Sequence, residues 1–231
     1  MENNPIIDVI IPAFNEENSV RNVINDIPKE LVREIIVVNN NSTDKTALNA
    51  KSAGAVVLEE SNMGYGNACL KGMAHVAKKN IKPDIIVFLD ADYSDYPEEI
   101  VDVIAPILNQ NMDMVIGSRA LGNLEKGSMT PQQIFGNWLA TFLLKLFYGV
   151  SYTDLGPFRA IKYDSLVALS MKDKTYGWTV EMQVKAAKQK MNTCEVPVNY
   201  RVRIGFSKVS GTVKGTIGAG YKIITTIFKY L

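Results

Sequence analysis

The chain reads as an α/β domain, a mostly parallel sheet with helices on both faces. Three observations predict it. Short apolar runs of strand length alternate with periodic helical stretches four or five times within about the first 117 residues. Each main run stops at an unusual polar cluster, at 12–15, 39–42, 90–92 and 117–119, so the chemistry gathers at the carboxyl edge, where such sheets bind ligands. At 231 residues and 47% hydrophobic, the chain can bury a core without disulfides.

Residues 6–11 form the first strand and close on Pro12-Ala13-Phe14-Asn15-Glu16-Glu17. Asn15 or Asn18 is placed to cap a helix carrying Val20, Val23, Ile24 and Ile27. A second strand, 34–38, ends in Asn39-Asn40-Asn41-Ser42-Thr43-Asp44, with Ser42 opening the next helix. A short strand at 55–58 precedes Gly64-Tyr65-Gly66-Asn67-Ala68, which opens a helix reaching Lys79. That glycine pair lacks the full Gly-x-Gly-x-x-Gly and is a weak phosphate-loop signal. Ile85-Ile86-Val87-Phe88-Leu89 reads as a fully buried fourth strand, followed by a helix at 97–108 and a strand at 112–117.

Beyond Arg119 the pattern changes to a polar loop at 121–130 and an apolar helix at 134–150 with Trp138, Phe142 and Phe147. That helix is too short, and at Lys145 too polar, for a membrane span, which needs about twenty apolar residues; core packing and an interfacial position both fit it. A helix at 178–189 and a last strand at 193–198 follow. His75, the single histidine, sits mid-helix and reads as structural, while Trp178 with Tyr176 fits core packing or a sugar-stacking platform.

A net charge of +1 argues against general nucleic-acid binding. It conceals an asymmetry: from Lys185 onward there are nine Lys/Arg and one acid, Glu195, which suits phosphates or a lipid surface. Laid on a helix, 211–231 sets Lys214, Lys222 and Lys229 against Val213, Ile217, Ile223, Ile224, Ile227, Phe228 and Leu231. That is the pattern of a membrane-surface or subunit-contact helix, so self-association is also open; the other reading is a helix docked on its own domain, since glycines at 211, 215, 218 and 220 permit close packing. Cys69 and Cys194 form no metal or redox pattern and read as reduced core residues of a cytosolic protein. The opening Met1-Glu2-Asn3-Asn4 carries no signal-peptide pattern.

The fourth strand stops at Asp90-Ala91-Asp92. Spacing i, i+2 at a strand end puts both carboxylates on one side, where unpaired they repel and raise one another's pKa. A divalent cation relieves this, and hard oxygen ligands suit Mg²⁺ or Mn²⁺. The competing reading is an Asp-rich helix cap, since Asp92-Tyr93-Ser94-Asp95 leads into Pro97-Glu98-Glu99.

Pro-Ala-Phe-Asn-Glu-Glu, Val-Val-Asn-Asn-Asn-Ser-Thr-Asp-Lys-Thr, Gly-Tyr-Gly-Asn-Ala, Asp-Ala-Asp, Gly-Ser-Arg and Gly-Phe-Ser-Lys occur in that order over nearly the whole chain. The set resembles the family 2 inverting glycosyltransferases of the GT-A (Rossmann-like) fold, near the dolichyl- and polyprenyl-phosphate mannose and glucose synthases. The resemblance implies a catalytic domain over 1–210, with a nucleotide-sugar half at 1–119 and an acceptor half at 120–210, and a C-terminal amphipathic helix at 211–231. By it, Pro12, Ala13, Asn15 and Glu17 hold base and ribose, and Gly66, Asn67 and Ala68 line the base pocket with Asn39 and Asn40. Asp90, beside Ala91, reaches the ribose or the metal; Asp92 ligates Mn²⁺ or Mg²⁺; and Arg119, Arg203 and Lys208 meet phosphates of donor or acceptor. Asn39-Asn40 departs from the family's Asp-Asp or Asp-Asn, and an Asn carbonyl accepts a base N–H without charge assistance. The expected donor is a UDP-sugar, with GDP-mannose as the alternative.

Inversion is a single in-line displacement. A hydroxyl acceptor needs a general base, for which Asp154 and Glu181 are the candidates. A polyprenyl phosphate, largely dianionic at neutral pH, needs only cations and a surface for its tail. Residues 201–208, Arg119, the helix at 134–150 and the tail helix fit the second. The expectation is a lipid-phosphate hexosyltransferase, peripheral on the cytoplasmic face of the membrane. The rivals are transfer to a hydroxyl of a glycan or metabolite, and a nucleotide-sugar-binding protein with a decayed site.

Overall fold

The computed structural model describes residues 4–205 and 213–231. Strands β1 (Ile7–Ala13), β2 (Glu34–Asn39), β3 (Val56–Glu59), β4 (Ile85–Phe88), β5 (Met114–Ser118), β6 (Arg159–Lys162) and β7 (Thr193–Pro197) form one sheet in the order β3-β2-β1-β4-β6-β5-β7. Neighbours are parallel except β6, which runs antiparallel to β4 and to β5. Helices α1 (Val20–Asp26), α2 (Thr46–Ser52) and α4 (Ile100–Gln110) cover one face. The other carries α3 (Tyr65–Val76), α5 (Pro131–Tyr148), α6 (Tyr163–Leu169), α7 (Trp178–Lys188) and α8 (Val213–Lys229).

Alternation along each strand sorts the core into two layers. Val9, Ile11, Val37 and Val87 join the first, and Ile10, Ile36, Val38, Ile86 and Phe88 the second. Because both layers are apolar, β1 from Val9, β2 from Ile35 to Val38 and all of β4 are unbroken apolar runs in the sequence.

β6 and α6 have no counterpart in the sequence reading. Arg159-Ala160-Ile161-Lys162 is too short and too polar to announce itself; pairing on both sides holds it, with Arg159 opposite Phe88 and Ile116. Arg159 is fully buried and donates to the carbonyls of Leu155, Gly156 and Thr179; burial lowers its pKa to about 10. Two helix starts also differ from expectation. The N-cap of α1 is Ser19, not Asn15 or Asn18, because Asn15 turns into the left-handed region (φ 54°) and accepts from the Thr43 amide. Ser42 does not open α2: its hydroxyl accepts from the Asn15 amide, and the helix begins at Thr46, whose amide Asp44 accepts at 2.9 Å.

α5 opens on a Thr130–Gln133 capping box and buries only Ala140, Thr141 and Leu144, leaving Phe135, Trp138, Phe142 and Leu146 exposed. α8 lies beside it, with Phe147 edge-on to Phe228 at 5.2 Å and the Tyr148 hydroxyl donating to the Ile227 carbonyl. The apolar face expected of the tail helix is therefore divided. Ile227 enters the core, while Ile217, Phe228 and Leu231 stay outside. No described helix is long and apolar enough to cross a membrane. Cys69 is buried, Cys194 half-buried, and both are free thiols.

Candidate active site

The carboxyl ends of β1, β2, β4 and β5 bring most of the expected residues to one edge. After β1, Pro12 and Ala13 are still strand, while Asn15 and Glu17 knit the turn to the loop ahead of α2. The Thr43 amide donates to Asn15 Oδ1 at 2.8 Å, and the Lys45 amide to Glu17 Oε2 at 3.0 Å. After β2, Asn39 donates to Glu59 at 2.7 Å and accepts from the Ser42 amide. Asn40 donates to the carbonyls of Glu60 (3.0 Å) and Asn62 (2.7 Å) and accepts from the Gly64 amide (2.8 Å). A carboxylate cannot make the two donations, so the local fold explains an amide at position 40.

The start of α3 is walled by residues 172–175. The Gly66 amide donates to the Thr175 carbonyl at 3.3 Å and the Asn67 amide to the Lys174 carbonyl at 3.0 Å. Two amides that a helix start leaves unpaired are thus taken by protein, which removes the phosphate-loop signal of Gly-Tyr-Gly. Ala68 lies wholly inside the core, on the buried face of α3. Ala91 is likewise a core residue. Tyr65, which the sequence reading passed over, donates its hydroxyl to Asp90 Oδ1 at 3.1 Å.

Asp90 and Asp92 sit where β4 ends. Burial, then the neighbouring Asp92 charge, raises Asp90 to about 7. Asp92 accepts from the Ser94 amide at 2.9 Å and pairs with Arg203 at 2.8 Å. Burial opposes the Arg203 charge, yet Asp92 outweighs it and holds the guanidinium above its ordinary range. At the end of β5, Arg119 grips Asp154 with two side-chain bonds of 2.7 Å, while its amide donates to the same carboxylate at 2.8 Å. The Arg119 guanidinium also lies 5.0 Å from the centre of the Tyr200 ring. Arg201 stacks on Tyr93 and Tyr96 and bonds the Tyr93 carbonyl, so it supports the turn after Asp92.

Asp95 is the other residue the sequence reading left as a cap. It is 2% exposed, and neither carboxylate oxygen has a hydrogen-bond partner among the described residues. Burial, reinforced by Asp90 and Asp92, pushes its carboxyl well above the ordinary range. A raised carboxyl favours the folded state most at pH values below its unfolded pKa near 4, and that advantage is lost as pH rises toward the folded pKa. Asp95→Asn, which holds no titratable proton, is therefore expected to gain on wild type as pH rises from about 4.5 to 7.5. The gap should widen by up to about 1.4 kcal/mol per pH unit. Urea denaturation at several pH values checks this, and a gap that narrows with rising pH sinks it.

Glu181 is not part of this cluster. Its carboxylate is fully buried and accepts from the amides of Lys172 and Asp173, from the Tyr230 hydroxyl and from Lys185. Burial would raise its pKa, but these donors outweigh that and keep it below the usual carboxylate value. Lys208 lies outside the described residues. No three His, Cys, Asp or Glu side chains converge on one point among the described residues. Mg²⁺ and Mn²⁺ do not require that, because one or two carboxylates plus substrate phosphates complete their shell. The Asp90–Asp92 pair, two buried carboxylates with one ion-pair partner in Arg203, fits such an ion.

Residues 8–168 match the family described as Glycosyl transferase family 2. The chain is 30% identical to the UDP-N-acetylglucosamine–dolichyl-phosphate N-acetylglucosaminyltransferase of Methanococcus voltae, over 94% of this chain and 93% of that one. It is 27% identical to the undecaprenyl-phosphate mannosyltransferase of Micrococcus luteus, over 89% and 88%. Among solved structures, glucosyl-3-phosphoglycerate synthase from Mycobacterium tuberculosis, in complex with Mn²⁺, uridine diphosphate and phosphoglyceric acid, superimposes with a TM-score of 0.77. Identity there is 22%, over 98% of this chain and 78% of that chain, so the likeness shows the fold.

Proposed function

The chain belongs to glycosyl transferase family 2, and from that premise we propose that it moves a hexose from a nucleotide sugar to a polyprenyl phosphate at a membrane surface. One observation carries the choice of acceptor. α5 presents exposed Phe135, Trp138 and Phe142, and Asn137 of the same helix donates to the Thr153 carbonyl (2.9 Å) and accepts from the Leu155 amide (2.8 Å). Asp154, between them, holds Arg119. An apolar, aromatic helix face therefore begins beside a fixed guanidinium, which suits a ligand with a phosphate head and a hydrocarbon tail.

The proton inventory supports the same acceptor. Both Asp154 oxygens are bonded by Arg119, and Glu181 is sealed in its own network, so neither expected base is placed to take a proton. A phosphate monoester, with its second pKa near 6, needs none. One of its oxygens attacks the anomeric carbon, the bond to the nucleoside diphosphate breaks, and the configuration inverts. Asp90 and Asp92 would hold Mn²⁺ or Mg²⁺, which when bound offsets the charge of the departing diphosphate. Arg203, released from Asp92, and Arg119 are the cations in reach of phosphate oxygens. The dolichyl-phosphate and undecaprenyl-phosphate activities named for the two relatives favour this acceptor, and the UDP donor of the first favours a UDP-sugar over GDP-mannose.

The test is transfer from labelled UDP- and GDP-sugars to an added polyprenyl phosphate in detergent with Mn²⁺. Label entering the organic phase is expected and names the donor. Label passing only to water-soluble products would reject the lipid acceptor while keeping the donor half.

A further inference from the structure

We propose that α8 is a positioning element for the donor site, acting through residues 172–177 on the start of α3. The proposal rests on the glycosyltransferase reading above. The inner side of this loop caps α3 through the Lys174 and Thr175 carbonyls and lies so close that a Cβ at Gly66 would stand 2.1 Å from the Asp173 oxygen. α3 in turn seats Tyr65 on Asp90.

The outer side is held from α7 and α8. Glu181 takes the Lys172 and Asp173 amides, and the Tyr230 hydroxyl, one residue beyond α8, donates to Glu181 at 2.5 Å. Lys222 pairs with Asp173 at 3.0 Å. Thr226 approaches until a Cβ at Gly177 would come within 2.6 Å of its hydroxyl. Docking alone is served by Ile227 in the core; three polar approaches converging on one loop do more than dock a helix. They form an unbroken line of contacts from α8 through the loop and Tyr65 to Asp90.

The test is calorimetric binding of UDP with Mn²⁺ to the full chain as wild type, Lys222→Met, Lys222→Arg and Tyr230→Phe, with Ile217→Ser as control. Lys222→Met and Tyr230→Phe are expected to weaken UDP about tenfold, a loss of ~1.4 kcal/mol, with Lys222→Arg and Ile217→Ser unchanged. Without ligand, the Gly66 and Asn67 amides should exchange faster in the first two variants only, which loss of a surface ion pair would not produce. Wild-type affinity and unchanged exchange in Lys222→Met and Tyr230→Phe overturn the proposal. Lys222 is partly exposed, so its variant keeps the question open to test where Tyr230→Phe fails to fold. A wild type that binds neither UDP nor GDP rejects the donor reading itself, and this proposal with it.

Discussion

Asp92→Asn is expected to lose sugar transfer by about a thousandfold or more while folding as stably as wild type. The two halves of that result have separate causes. Asp92 lies beside Asp90, whose carboxyl is raised to about 7 by burial and by the Asp92 charge. Replacing one carboxylate by an amide relieves that repulsion, and Asn still offers an oxygen to the Ser94 amide. The lost ion pair with Arg203 is offset because Asp90, freed of the Asp92 repulsion, remains beside the guanidinium as its counter-charge. On the proposed function, transfer needs the anionic oxygen. Cation stabilisation of a departing diphosphate is worth several kcal/mol, and each 1.36 kcal/mol is tenfold in rate. Initial rates with Mn²⁺ and a denaturation curve on the same preparation check both halves. Retention of more than about a tenth of the activity would remove Asp92 from the chemistry.

Arg119→Met is expected to have the largest effect on stability, about 3–5 kcal/mol, out of the roughly 5–15 kcal/mol typical of a folded domain. Asp154 is 1% exposed and has Arg119 as its ion-pair partner; Asp95 lies in the same field with no hydrogen bond among the described residues. Burial disfavours the guanidinium charge, yet Asp154 overrides this and holds Arg119 above its ordinary range. Removing the cation leaves buried acids uncompensated, and that penalty exceeds the net worth of the original pair. The double variant Arg119→Met with Asp154→Asn should therefore recover most of the stability, while on the proposed function sugar transfer stays low because the Arg119 guanidinium is gone. A double-mutant cycle by urea denaturation measures the coupling. Near-additive losses would mean that the pair does not act as a unit.

Much of this was legible from residue order because parallel strands buried on both faces leave a plain trace. Val9–Ala13, Ile35–Val38 and Ile85–Phe88 are apolar throughout, and each stops where the backbone reaches the ligand edge. Asp90 and Asp92 could be singled out because charge directly after an apolar run is rare without a partner, while Arg119 and Arg203 followed from the family resemblance. β6 could not: its four residues carry two charges and owe their strand state to β4 and β5. Tyr65 and Asp95 also escaped, since a tyrosine between glycines and an aspartate before a proline turn have ordinary local explanations.

Local pattern determined the sheet, the order of its strands along the chain, and the carboxylate pair at the end of β4, since each depends on residues adjacent in sequence. Only the tertiary structure decided what those charges face. Arg119 meets Asp154 across 35 positions, and Arg203 reaches Asp92 from the far end of the chain. Glu181, an apparent base by residue type, became a strut because the amides of Lys172 and Asp173 and the Tyr230 hydroxyl fold over it. A carboxylate acts according to the donors that surround it, and those donors come from segments that only packing brings together.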